Sequence, residues 1–131
     1  MISIKHLQEL ADAVWIGKSK PKIRYNNQSP KARYKIDKLG NIAFDGFQDN
    51  ADTLTARTFA HAHSHSKRGE ESYRQICFSW KGLNRRNNKV IRTLAHELAH
   101  LKVPHERHDS KVFKYWCRAF ELNLVREIIR G

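Results

Sequence analysis

Between Asn88 and Leu101 the apolar residues Val90, Ile91, Leu94, Leu98 and Leu101 recur at three- and four-residue spacing, which predicts an amphipathic helix whose stripe needs a partner surface. Pro104 stops it. Inside this helix stands His96-Glu97-Leu98-Ala99-His100, an H-E-x-x-H pattern. At about 100° per residue, its two histidines lie only about 40° apart, so both imidazoles can reach one metal ion. Glu97 falls on the flank of that face, close enough to touch a metal-bound water without being a ligand. The leucine stripe falls on the opposite side, so core face and metal face are expected not to compete.

The remaining chain supplies the partner surfaces. Ser3 is a candidate cap for a first helix carrying Ile4, Leu7, Leu10, Ala11 and Val14, ended by Gly17 and Lys18-Ser19-Lys20-Pro21. A short strand is expected at Ile23–Tyr25. One hairpin joins Ala32–Ile36 to Asn41–Phe44 through Asp37-Lys38-Leu39-Gly40, and a second joins Thr58–Ser66 to Tyr73–Trp80. A loop, Lys81–Asn88, leads into the H-E-x-x-H helix. A last helix begins at Asp109 or Ser110 and buries Phe113, Trp116, Cys117, Phe120, Leu124 and Ile128. This order predicts one small α+β domain over residues 1–131, with a mostly antiparallel sheet.

Composition limits the function classes. The 131 residues hold 25 Lys+Arg against 13 Asp+Glu, a formal charge of +12, and such a domain attracts polyanions, DNA among them. The longest apolar run, Ala13–Ile16, is far too short to span a bilayer, and the N-terminus lacks a secretory pattern. Cys77 and Cys117 form no Cys-x-x-Cys pair, which argues against a disulfide framework and a zinc ribbon. The expectation is a reduced, cytoplasmic or nucleoid-associated monomer with no membrane contact.

A catalytic zinc takes three protein ligands and keeps one open position. His108 is the first candidate for the third ligand, because it stands just before the last helix and can point back across the cleft. His105, Glu121 and Glu106 are the alternatives. Glu97 is the candidate base, taking a proton from water and passing it to a departing amine. Tyr115, His105 or a hairpin histidine is a candidate for stabilising the oxyanion.

Ile76–Trp80, then Val90–Leu101 with its H-E-L-A-H-L, then His108–Trp116 with its aromatic pair Tyr115-Trp116, together resemble the SprT-like (Spartan-type) zinc metallopeptidases. The YgjP-like metallopeptidases are similar. The resemblance covers about residues 55–120. It implies a minimal zincin-like domain in which His96, His100 and His108 bind Zn2+ and Glu97 is catalytic. It also implies that strand Gln75–Trp80, with Ile76 and Phe78, lines the cleft so that an extended peptide substrate can add to it. Its substrate class would be proteins associated with or crosslinked to DNA. Two departures stand out: Asp109 occupies a position where SprT-like proteins commonly have Gly, and the His100–His108 gap is two residues longer than in YgjP-like proteins. The longer gap keeps His105 as an alternative. With no zinc ribbon, DNA contact would fall to the core domain.

Other features have two readings. His61, His63 and His65 alternate along one strand face, as a solvated surface or as proton donors or second-site ligands lining the cleft. Arg85, Arg86, Lys89 and Arg92 cluster beside the active-site helix and are the candidate nucleic-acid contacts. Tyr25, Tyr34 and Trp80 suit either base stacking or the core. Two rival functions remain: a basic nucleic-acid-binding module with a structural zinc, and a regulatory protease cleaving a single partner such as a repressor.

Overall fold

Ser3 starts the first helix: its hydroxyl oxygen accepts from the His6 N–H at 3.0 Å, satisfying a donor the first turn leaves unpaired. The computed structural model describes residues 2–25, 32–47, 59–65 and 73–130. In helix α1, Ile4–Val14, the expected face of Leu7, Leu10, Ala11 and Val14 is buried. Gly17 lies at φ +133°, a conformation that side chains with a Cβ rarely adopt.

Gln8 on α1 anchors the segment beyond the helix. Its Nε2 donates to the Pro21 carbonyl at 2.9 Å, and its Oε1 accepts from the Ile23 N–H at 2.7 Å. These two bonds seat strand β1, Lys22–Tyr25, beside the helix and occupy a backbone donor that an edge strand would otherwise expose.

Strands β2, Ala32–Ile36, and β3, Ile42–Phe47, form a separate antiparallel hairpin. Its turn is built by Asp37, whose Oδ1 accepts from the N–H groups of Leu39 and Asn41, with Gly40 at φ +83°. Strands β4, Ala60–His65, and β5, Tyr73–Phe78, pair antiparallel, with His61 opposite Cys77 and Ala62 opposite Ile76. β1 pairs with β5 in parallel, with Ile23 opposite Ile76. The larger sheet therefore runs β1-β5-β4, with β5 in the centre. Central placement explains the composition of β5: Gln75, Ile76, Cys77 and Phe78 are all fully buried.

The strand expected through Trp80 ends at Phe78, and the expected loop after it contains a short helix, α2, Trp80–Leu83. Ser79 makes the switch. Its Oγ accepts from the Gly82 N–H at 3.0 Å and donates to the Phe59 carbonyl at 3.1 Å. A Cβ on Gly82 would sit 1.9 Å from that carbonyl oxygen, so only glycine allows this approach.

Helix α3, Asn87–Lys102, packs against α4 and β4 and also touches α1, α2 and β5. Helix α4, Lys111–Arg130, is capped by Ser110, whose Oγ accepts from the Phe113 N–H at 3.0 Å. Phe113, Phe120 and Leu124 are buried and Trp116 and Cys117 half-buried, but Ile128, expected in the core, lies out in the last turns at 41% exposure. Phe120 stacks on Trp15 at 6.0 Å, joining α4 to α1. The fold is mixed α+β. The strict separation of faces expected for α3 is not found. Leu94, Ala95, Glu97, Leu98, Ala99 and Leu101 are all buried, because α3 is enclosed by neighbours on more than one side.

Candidate metal centre

The i, i+4 spacing on α3 places the His96 and His100 rings side by side, with their Nε2 atoms 3.1 Å apart. Beyond the helix end at Val103, two tight turns reverse the chain: Glu106 N–H donates to Val103 O, and Ser110 N–H to Arg107 O. They bring His108 back so that its Nε2 lies 2.8 Å from that of His100. Among the described residues, His96, His100 and His108 form the group whose donor atoms could hold one metal ion.

The donors fit a metal. Zn–N bonds of 2.0–2.1 Å in a tetrahedron place donor nitrogens about 3.4 Å apart, so the pairs at 3.1 and 2.8 Å would open by about 0.3 and 0.6 Å around an ion. His100 Nε2 also faces both of the other Nε2 atoms. One ring nitrogen carries either one proton or one lone pair, so whatever the tautomers only one of the two contacts can be an ordinary hydrogen bond. Three lone pairs directed at one cation resolve the arrangement.

Electrostatics favours the ligating form. Burial, then the neighbouring His96, His108 and His61, pulls the His100 pKa down to about 4, and burial with His108 lowers that of His96. Both rings are therefore neutral near pH 7, as metal ligation requires. Glu97, only 7% exposed, is pushed the other way: burial raises its carboxyl to about 7.

The three histidines rest on Phe113, whose buried ring centroid lies 5.1, 4.7 and 5.3 Å from those of His96, His100 and His108. Sequence reasoning assigned Phe113 to the core alone. The available signal was its position five residues after His108, on the turn that α4 directs at the site. A cleft of about 440 Å³ opens over the centre, lined by the three histidines and Glu97 together with His61 of β4 and Pro104. His61 is half-buried in this wall, so at that position the strand face is more than a solvated surface. The side chains of His63 and His65 lie outside the described residues, as does that of Tyr34.

Several candidates are placed elsewhere. Ile76 and Phe78 have no exposed surface, and β5 is paired on both edges, so neither can meet a substrate. The strand bordering the cleft is β4. Tyr115 is 63% exposed with its ring against Trp116, away from the cleft wall. His105 and Glu106 are exposed and stand outside the ligand group. Glu121 pairs with Arg92 at 3.5 Å instead. Arg86 and Lys89 are exposed at the start of α3, while Arg85 and Arg92 line a cavity that adjoins the centre. Trp80 and Tyr25 are half-exposed rather than core residues. No helix is long and apolar enough to cross a membrane among the described residues. Compared with protein-family models, curated proteins and solved structures, the chain matches none.

Proposed function

We propose that this chain is a zinc-dependent endopeptidase of minimal zincin-like, SprT-like type, acting on proteins associated with or crosslinked to DNA. The observation that carries the hydrolytic reading is three imidazole nitrogens converging under an open cleft whose wall includes a buried carboxyl, Glu97. Three protein donors with open space above them fit a catalytic centre, whereas structural zinc is enclosed by four. His96, His100 and His108 would hold the ion, which when bound supplies Lewis acidity toward water and a peptide carbonyl.

The protein's own groups do the rest. Glu97 accepts a proton from the attacking water at its carboxylate and delivers it to the amine as the peptide bond breaks. Burial raises this carboxyl in the metal-free protein, and a bound cation beside it would favour the carboxylate that takes the proton. Phe113 supports the three rings, and half-buried His61, a hairpin histidine in the cleft wall, would donate to a developing oxyanion. β4 borders the larger sheet, so an extended peptide can lie along it, in place of the expected Gln75–Trp80 strand. The formal charge of +12 supports the DNA-associated substrate class.

Glu97→Gln tests the reading. The variant should bind zinc stoichiometrically by mass spectrometry yet lose cleavage of casein-like substrates by at least about a hundredfold. Cleavage unchanged in the variant, with folding dependent on zinc, would support a structural ion instead. Stimulation of wild-type cleavage by single-stranded DNA supports the DNA-linked substrate. Its absence favours a protease with a single protein partner.

A further inference from the structure

The wall made by Ala60, His96 and Glu97 has a second side. Behind it lies another cavity of about 340 Å³, closed by Phe59, Thr93, Arg85 and Arg92. The two cavities share Ala60, His96 and Glu97, so a chain lying along β4 past these residues would reach from one into the other. Their chemistry differs: the far end of the main cleft is walled by Ala62, Leu101 and Pro104, and this end by two guanidinium groups.

Arg85 is held in place. Its guanidinium lies over the Phe59 ring at 4.0 Å, and Nη1 donates to Thr93 Oγ1 at 3.0 Å. Thr93 in turn donates to the Lys89 carbonyl at 3.0 Å. One donor of five is used, and among the described residues no carboxylate stands within ion-pair distance of Arg85. Among the described residues Arg92 is held by a 3.5 Å pair with Glu121, with side chains 60% and 38% exposed, a contact weak enough for a competing anion to displace. Among the described residues, the acids placed at the cavity or at its arginines are Glu97, on its wall, and Glu121, engaged by Arg92. A planar, pre-positioned guanidinium beside a second exchangeable one has the geometry and charge to pair with a carboxylate.

We propose that this cavity is a specificity subsite that binds the carboxylate side chain of an Asp or Glu flanking the scissile bond, on the Phe59 side of the metal centre. The proposal rests on the peptidase reading above, and its test separates the two.

Zinc-loaded protein is given peptides of one sequence in which a single Glu, or Gln, is moved through the positions on either side of the cleaved bond. At positions on one side, Glu should raise kcat/KM over Gln by about tenfold, the effect of one charge-assisted hydrogen-bonded contact. Arg85→Gln with Arg92→Gln should reduce that ratio to near one. Arg85→Lys should restore part of it, and Glu121→Gln, which frees Arg92, should raise it. Equal cleavage of Glu and Gln peptides by the wild type overturns the subsite, as does a preference that survives the double substitution. The same peptides, fluorescently labelled, are also bound to zinc-loaded Glu97→Gln protein and followed by anisotropy. If no peptide is cleaved by the wild type, a Glu-over-Gln binding ratio abolished by Arg92→Gln still supports the subsite while the peptidase reading falls. No such ratio overturns the subsite too.

Discussion

At the residue scale, each member of the metal centre has a task that substitution can isolate. His108→Ala should lower metal content from one equivalent to a small fraction, whereas His105→Ala should leave it unchanged, since His105 stands outside the donor group. Inductively coupled plasma mass spectrometry after dialysis reads both. Glu97 predicts a pH signature in the metal-free protein. Folded, it keeps its proton up to about pH 7; unfolded, it releases it near 4.5. Between those values the folded state binds more protons, so this group's contribution to stability falls as pH rises. The His100 shift works oppositely, costing stability as pH falls from 6.5 toward 4. Gln cannot release a proton. Denaturation midpoints in EDTA should therefore show Glu97→Gln gaining on wild type across pH 4.5–7, by up to about 3 kcal/mol at about 1.4 kcal/mol per unit. A flat difference would mean the carboxyl is not desolvated. His96, Glu97 and His100 were legible because helical periodicity alone puts them together. The role of Phe113 was not, since a buried aromatic reads the same in sequence whether it supports leucines or ligands.

At the scale of elements, the junction of β4, β5 and α2 decides where the cleft wall stands. Phe59 O accepts from both the N–H and the Oγ of Ser79, and Gly82 closes on the same carbonyl. Gly82→Ala should destabilise the fold by about 1–3 kcal/mol, the usual cost of forcing a methyl into a packed site, seen as a lower Tm. The same substitution should weaken any contact that depends on Phe59, including the Arg85 stack. The hairpin β4–β5 was readable from alternation and turn residues, but its orientation in the sheet was not. β1 joins β5 across about fifty intervening residues, and that parallel pairing is what buries Ile76 and Phe78 and leaves β4 to face the site. The switch at Ser79 was likewise missed, because Ser before Trp80-Lys81-Gly82-Leu83 offers only one turn of helical pattern.

At the scale of the whole molecule, charge and core act separately. Removing the buried Leu124 side chain, where α4 closes over the core, should cost about 2–5 kcal/mol in Leu124→Ala, measured by denaturant unfolding. By contrast, exposed Arg86 and Lys89 contribute little to folding, and Arg86→Glu with Lys89→Glu should leave Tm nearly unchanged while weakening single-stranded DNA binding. In a salt titration, log affinity should fall with log salt, the slope shrinking by about 0.7 for each lost phosphate contact. A slope that both proteins share would rule out phosphate contacts at Arg86 and Lys89. What the amino-acid order determined by itself was local: helices α1, α3 and α4, the two hairpins, the excess of cations, and two imidazoles one turn apart. Those arise from interactions between residues a few positions away, whose geometry each segment carries with it. Tertiary structure alone decided which strand borders the cleft, that His108 returns to within 2.8 Å of His100, and that Glu97 lies buried. Each of these depends on desolvation and contact between segments far apart in the chain, and so exists only once the core has closed.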